Sequence, residues 1–231
     1  MRSPTIQTTA EPTPAPKAPR GVERALSRQR RKYEDEVERL VNATFRVMRQ
    51  LDTAEPTVND ILTEAGLSTS AFYRHFPTKD DLLVTLLERA HAMTRKHVDD
   101  RLATCTSPRD RIVEWVRAVM DLLRTDDLVA ANRPFLLAHP RLLERFPTEI
   151  NTGFDALLVP LESAIAEARK LAGLSTDGAP FDARLVLHQV FGILIDTAAL
   201  RQRTNPAIVD AVASYTLRAV LSPDVDVTIK G

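Results

Sequence analysis

Cys105 is the only cysteine in the chain, so no internal disulfide can staple the fold and a reducing compartment is expected. Glycine is scarce, at seven residues in 231, and no alternating apolar stretch is followed by a hairpin turn signal. No run of about 18 apolar residues occurs, which excludes a spanning helix. The N-terminus lacks the apolar stretch of a secretory leader, and a cytoplasmic location is expected. Enzymatic signatures are missing too: no zinc-type H-E-x-x-H, no P-loop, no glycine-rich dinucleotide fingerprint, no G-x-S-x-G. Glu88-x-x-His91 has the spacing of a di-iron ligand pair, but such centres need a second copy on another helix, and none exists. Neither an enzyme nor a cofactor or metal is expected.

Net charge is absent only on average. Residues 1–32 hold eight basic side chains against Glu11 and Glu23, a balance of 8 − 2 = +6, which leaves the remainder at −6. A basic end on a balanced chain suits a polyanion; a merely solubilising tail is the bland alternative.

What is present is helical. Apolar residues recur at the three-and-four spacing of buried helix faces, and the fold class reads as all-α. Residues 1–20 are rich in proline, threonine and alanine with little to bury, so they are expected to be disordered or extended. The basic run "RALSRQRRK" leads into a first helix with Val37, Leu40, Val41, Phe45 and Met48 as its stripe. Thr57 can cap a second helix, Gly66 can end it and Ser68 can cap a short third. Thr78, with Asp81 three residues on, makes a capping box for a fourth that reaches about residue 103. Further helices are expected at 109–124, 127–138, 148–171, 182–202 and 206–221, with Pro140, Pro147, the 173–180 stretch and Asn205-Pro206 in the breaks.

The short third helix carries the function. At about 100° per residue, placing Phe72 at zero puts Phe76 at about 40°, Tyr73 at about 100°, Ser70 at about 160°, Arg74 at about 200° and His75 at about 300°. Two phenylalanines pin one side. Arg74 and Ser70 face away from them. Two helices joined by a tight Gly-Leu-Ser turn, the second short and polar-faced, are the sequence form of a helix-turn-helix. A guanidinium can donate two hydrogen bonds to O6 and N7 of guanine, and small residues let a helix sit deep in the major groove. Hydroxyls and backbone N–H groups at the helix start suit phosphates, as does Lys79.

Thr57–Leu83, "TVNDILTEAGLSTSAFYRHFPTKDDLL", resembles the DNA-binding signature of TetR-family transcriptional regulators. Turn, cap, aromatic pair and lysine all fall in register, through Thr57, Val58, Ile61, Ala65, Gly66, Ser68, Phe72, Tyr73, His75, Phe76, Lys79 and Leu82. Leu62 departs from the family's usual alanine, and "RQLDTAEP" lacks the Gly-aromatic pair common between the first two helices. Beyond residue 90 the resemblance is architectural only.

Composition sets apart a disordered Pro-rich tail (1–24), and the resemblance implies a helix-turn-helix domain with a basic arm (25–80) and a helical ligand-binding and dimerisation domain (81–231). It implies DNA contacts at Thr57, Asn59, Ser68, Thr69, Ser70, Ala71, Tyr73, Arg74, His75 and Lys79, and Arg28, Arg30 and Arg31 of the basic arm are added to them. The bland alternatives are a solvated Asn59, an edge-packed His75, and a Tyr73 that offers only its hydroxyl to phosphate. The expected partners are a double-stranded DNA operator, a small apolar effector and a second copy of the chain docked through residues 182–221. Trp115, Phe135, His188 and Phe191 are the pocket-lining candidates, with plain core packing as the competing reading. An effector-independent DNA-binding protein and a helical-bundle enzyme are the alternative functions.

Overall fold

The computed structural model describes residues 20–222, with side chains from residue 24 onward; the expectation of a disordered tail falls largely on residues outside that range. Nine α-helices and one 3-10 turn make up the described residues, with no strand among them. They are α1 Arg20–Leu51, α2 Val58–Ala65, α3 Thr69–His75, α4 Lys79–Leu102, α5 Pro108–Met120, the 3-10 turn Asp121–Leu123, α6 Asp126–Arg145, α7 Pro147–Leu171, α8 Ala179–Ala199 and α9 Pro206–Val220. The all-α reading holds.

The short elements are delimited by the local chemistry. Thr57 and Asp60 form a reciprocal capping box at the start of α2, and Thr78 and Asp81 form another at the start of α4. Each box satisfies two backbone N–H groups that the first turn leaves without partners. Ser68 caps α3, its hydroxyl oxygen accepting from the Ala71 N–H at 3.2 Å. Gly66 ends α2 in the left-handed region at φ 61°, where a Cβ would be strained.

Helix α8 runs Ala179–Ala199 against an expected 182–202, and two further boundaries differ more. Helix α1 already starts at Arg20, inside the stretch expected as tail. Helix α6 runs to Arg145 with Pro134 and Pro140 inside it, so Pro140 is not a break. Proline removes one ladder hydrogen bond and crowds the preceding turn. Here Leu136, Ala138 and Leu142 are all buried on either side of Pro140, and continued burial outweighs the local penalty. Pro147 does mark a break, as the first residue of α7.

Two apolar clusters result. One gathers Leu40 and Met48 of α1, Ile61 of α2, Phe72 and Phe76, and Leu82 and Leu86 of α4. The other fills the interior of α5, α7, α8 and α9 around Trp115, Leu158, Leu161, Leu187 and Leu194. Helix α4 contributes to both, through Leu82 to Leu87 at one end and Val98 and Leu102 at the other. At 24 residues it is a rod of about 36 Å. The first cluster does not close within residues 25–80: Ala138, Leu142, Phe146 and Ile150 from α6 and α7 complete it.

Candidate nucleic-acid interface

Helix α3 lies against α1 and leaves one side open. Phe72 is fully buried and Phe76 nearly so, their rings 5.9 Å apart. Thr69, Ser70, Tyr73 and Arg74 are exposed. The Tyr73 ring stands edge-on to Phe72 at 5.2 Å while half of the residue remains accessible. Asn59 is exposed on α2, and Lys79 is half-buried at the start of α4.

Two expected contacts do not stand on the open side. Ala71 is buried, and the His75 side chain has no exposure at all. The buried arc of α3 therefore runs from Ala71 through His75 to Phe72 and Phe76, about 140° of the helix at 100° per residue. Helix α1 covers the His75 side of that arc. His75 Nε2 meets Glu36 Oε2 at 2.7 Å, and the Tyr33 ring packs edge-on to the imidazole at 4.3 Å. Ser68 and Thr57 are exposed, but each hydroxyl is committed to a cap.

The clamp between α1 and the turn is made by residues that the sequence did not single out. Arg39 donates from Nη2 to the Ala65 carbonyl at 2.7 Å and to the Gly66 carbonyl at 3.1 Å, which satisfies carbonyls at the end of α2. Glu36 also accepts from Arg74 Nη1 at 3.1 Å. The hydrogen bond from His75 is the largest influence on the Glu36 carboxyl, which is held below the ordinary carboxylate value despite the opposing effect of burial. The only sequence signal for this role was an acidic residue following a basic run.

Ahead of the clamp, α1 projects with every residue from 24 to 35 exposed. Arg24, Ser27, Arg28 and Arg31 line an open groove along it. Arg30 is paired with Glu34 at 2.8 Å. The basic arm is thus helical where it is described.

The pocket candidates do not converge. Trp115 is fully buried in the body core, its indole N–H donating to the Leu157 carbonyl at 3.1 Å. Phe135 packs on Phe45 in the other cluster, and His188 is exposed. Phe191 instead meets His139 and Phe154, with His91 on the far side of Phe154. Sequence reading missed this aromatic and histidine cluster because its members come from four separate helices. Among the described residues, no group of three or more His, Cys, Asp or Glu side chains able to hold a metal ion is brought together.

An all-helical chain whose short, pinned helix follows a glycine turn and shows a polar face defines a helix-turn-helix protein. Residues 40–86, from mid-α1 into α4, match the family described as bacterial regulatory proteins, tetR family. Two HTH-type transcriptional regulators from strains of Mycobacterium tuberculosis are 24% identical to it over 101 residues, 44% of this chain and 50% of each relative. The chain therefore matches them over half of their length. Among solved structures, a TetR transcription regulator from Haloarcula marismortui superposes with a TM-score of 0.68 at 20% identity, covering 80% of this chain and 98% of that one. RolR in complex with resorcinol gives 0.57 at 15% identity, covering 82% and 89%. The family match thus covers the helix-turn-helix and its flanks, residues 40–86, and the solved structures share the fold of the described residues.

Proposed function

We propose that this protein is a sequence-specific, double-stranded-DNA-binding repressor that acts as a homodimer and leaves its operator when a small apolar effector binds the body. One observation carries the DNA-binding reading. Ser70, Tyr73 and Arg74 are exposed on a helix whose opposite side is locked into a core by Phe72 and Phe76. Such a helix keeps its shape when it enters a groove, and Arg74 offers the donor pattern that reads guanine. Asn59, Thr69 and Lys79 flank it as further contacts, with Arg28 and Arg31 as phosphate partners on the projecting part of α1.

A second copy is supported by the outer face of α8 and α9. Phe181, Leu185, Ile208 and Tyr215 of these helices are all at least half exposed, Leu185 and Tyr215 line one groove, and an exposed apolar patch marks an interaction site. A dimer would present two reading helices about 34 Å apart. The effector reading rests on the long shared rod α4 and on RolR, solved with a small aromatic ligand. Effector binding releases DNA only if the ligand prefers the arrangement in which the two reading helices no longer match the grooves.

Selection from a pool of random duplexes, followed by gel retardation with the enriched sequence, tests the reading. An enriched palindrome bound by two chains is expected; no enrichment would refute it. A broad library of apolar compounds that never releases the enriched duplex would leave the effector-independent function in its place.

A further inference from the structure

Arg74 is not free on the open face. Its Nη1 donates to Glu36 Oε2 at 3.1 Å, and the same oxygen faces His75 Nε2 at 2.7 Å. The two partners differ sharply in environment. His75 is wholly buried, whereas the Arg74 side chain keeps 53% of its surface exposed and Glu36 only 12%. His75 Nδ1 is buried without a hydrogen-bond partner, so the ring proton belongs on Nε2, where it donates to Glu36. The carboxylate is thereby fixed from behind by an immobile ring, and one corner of the guanidinium is fixed to the carboxylate. The remaining N–H groups of Arg74 stay open to solvent.

We infer that Glu36 is a positioning residue that sets the base specificity of Arg74. This rests on the DNA-binding reading above. A free arginine samples many rotamers, and ordering it opposes binding; a guanidinium already tethered at Nη1 loses less freedom on forming two further hydrogen bonds. The plane matters for guanine, whose O6 and N7 must be met together. It matters little for a phosphate, which accepts from many directions. Glu36 therefore favours the guanine contact over backbone contacts. Its negative charge near the groove also disfavours DNA of any sequence, which weakens right and wrong sites alike, so the gap between them comes from the positioning of Arg74.

E36Q separates positioning from packing. The glutamine carbonyl, in the place of the shared oxygen, still accepts from His75 Nε2, while the charge that strengthens its hold on Arg74 Nη1 is lost. The wild type, E36Q, R74A and the double variant are each put through selection from random duplexes. Each is then titrated with the wild-type-enriched duplex and with a scrambled duplex of equal length, and thermal midpoints are recorded in parallel. The expected result for E36Q is a midpoint within a few degrees of the wild type. Its binding to the scrambled duplex should be tighter, and its ratio of specific to scrambled affinity lower by on the order of three- to tenfold. Preference should relax at one base pair per half-site, and E36Q should change no base preference when Arg74 is already alanine. A wild-type base preference in E36Q would overturn the inference, as would a relaxation that persists in the R74A background. If the wild type enriches no duplex, the functional reading fails and the inference with it.

Discussion

The turn around α3 and the helical body are built by different means. Around α3, every boundary has a local cause within a few residues: Thr57 with Asp60, Ser68 with the Ala71 N–H, Gly66 at φ 61°, Thr78 with Asp81. In the body, Ser107, Thr125 and Asn205 cap helix starts locally as well, but the contacts that join the helices are distant. Trp115 bonds to Leu157, and Arg133 reaches both the Ala198 carbonyl at 2.8 Å and the Asp52 carboxylate. Asp52 is also met by Arg201 at 2.6 Å. Burial pushes the Asp52 carboxyl up, but Arg133 and then Arg201 outweigh it and hold it below the ordinary 3.8. Local chemistry sets where the short helices begin and end, and contacts from distant residues hold α3 and the body helices in place. The contrast is blunted where the two regions share a core, at Ala138, Leu142, Phe146 and Ile150.

Phe72→Ala presses hardest on that shared core. It removes a fully buried ring and should cost about 3–5 kcal/mol. Denaturant unfolding is followed both by helical signal and by emission from Trp115, which lies in the other cluster. Coincident curves are expected, shifted together, because residues of α6 and α7 close the core around Phe72. Separate transitions would show that the regions unfold independently.

Gly66→Ala should cost about 1–2 kcal/mol, since an alanine in the left-handed region brings its Cβ against the carbonyl. The added Cβ would also lie 3.4 Å from Arg39 Nη2. A neutral result in the same unfolding assay would mean that the turn relaxes to admit the Cβ. Ser68→Ala is milder, about 1 kcal/mol for a lost cap. Its DNA affinity should fall more than its overall stability, because fraying starts at the entrance of the reading helix; equal losses would argue against that local role.

The smallest expected effect lies in the body. Burial lowers the pKa of His91, with the charge of His139 adding to it, and burial lowers His139, with His188 adding. Both thus lie below the ordinary 6.5 in the folded chain. As pH falls below that value the unfolded chain binds more protons, so stability present above about 6.5 is lost on acidification. Thermal midpoints between pH 7.5 and 5 should decline, and His139→Phe, which keeps a ring against Phe154 and Phe191, should flatten the decline. An unchanged slope would exclude His139 as a contributor.

The same division decides what was legible in the sequence. Caps, the glycine turn and the Phe72–Phe76 pair could be read because each signal lies within a few residues of its effect. Ala71 is buried, and His75 was misplaced because the wall that buries it comes from α1, with Glu36 lying 39 residues away. Pro140 looked like a stop because a local rule cannot see the apolar surface waiting beyond it. His139, Phe154 and Phe191 carry no mutual spacing in the sequence, and only the packing of α6, α7 and α8 brings them together.

The central claim, that the exposed side of α3 reads DNA through Arg74, is tested most directly by comparing the duplexes enriched by the wild type and by R74A. The account predicts a palindrome for the wild type with a guanine preference in each half-site. R74A should lose that preference at one base pair per half-site and bind the wild-type sequence about 1–3 kcal/mol more weakly. A variant that binds more weakly yet keeps the same preference at every position would contradict it and reduce Arg74 to a phosphate contact.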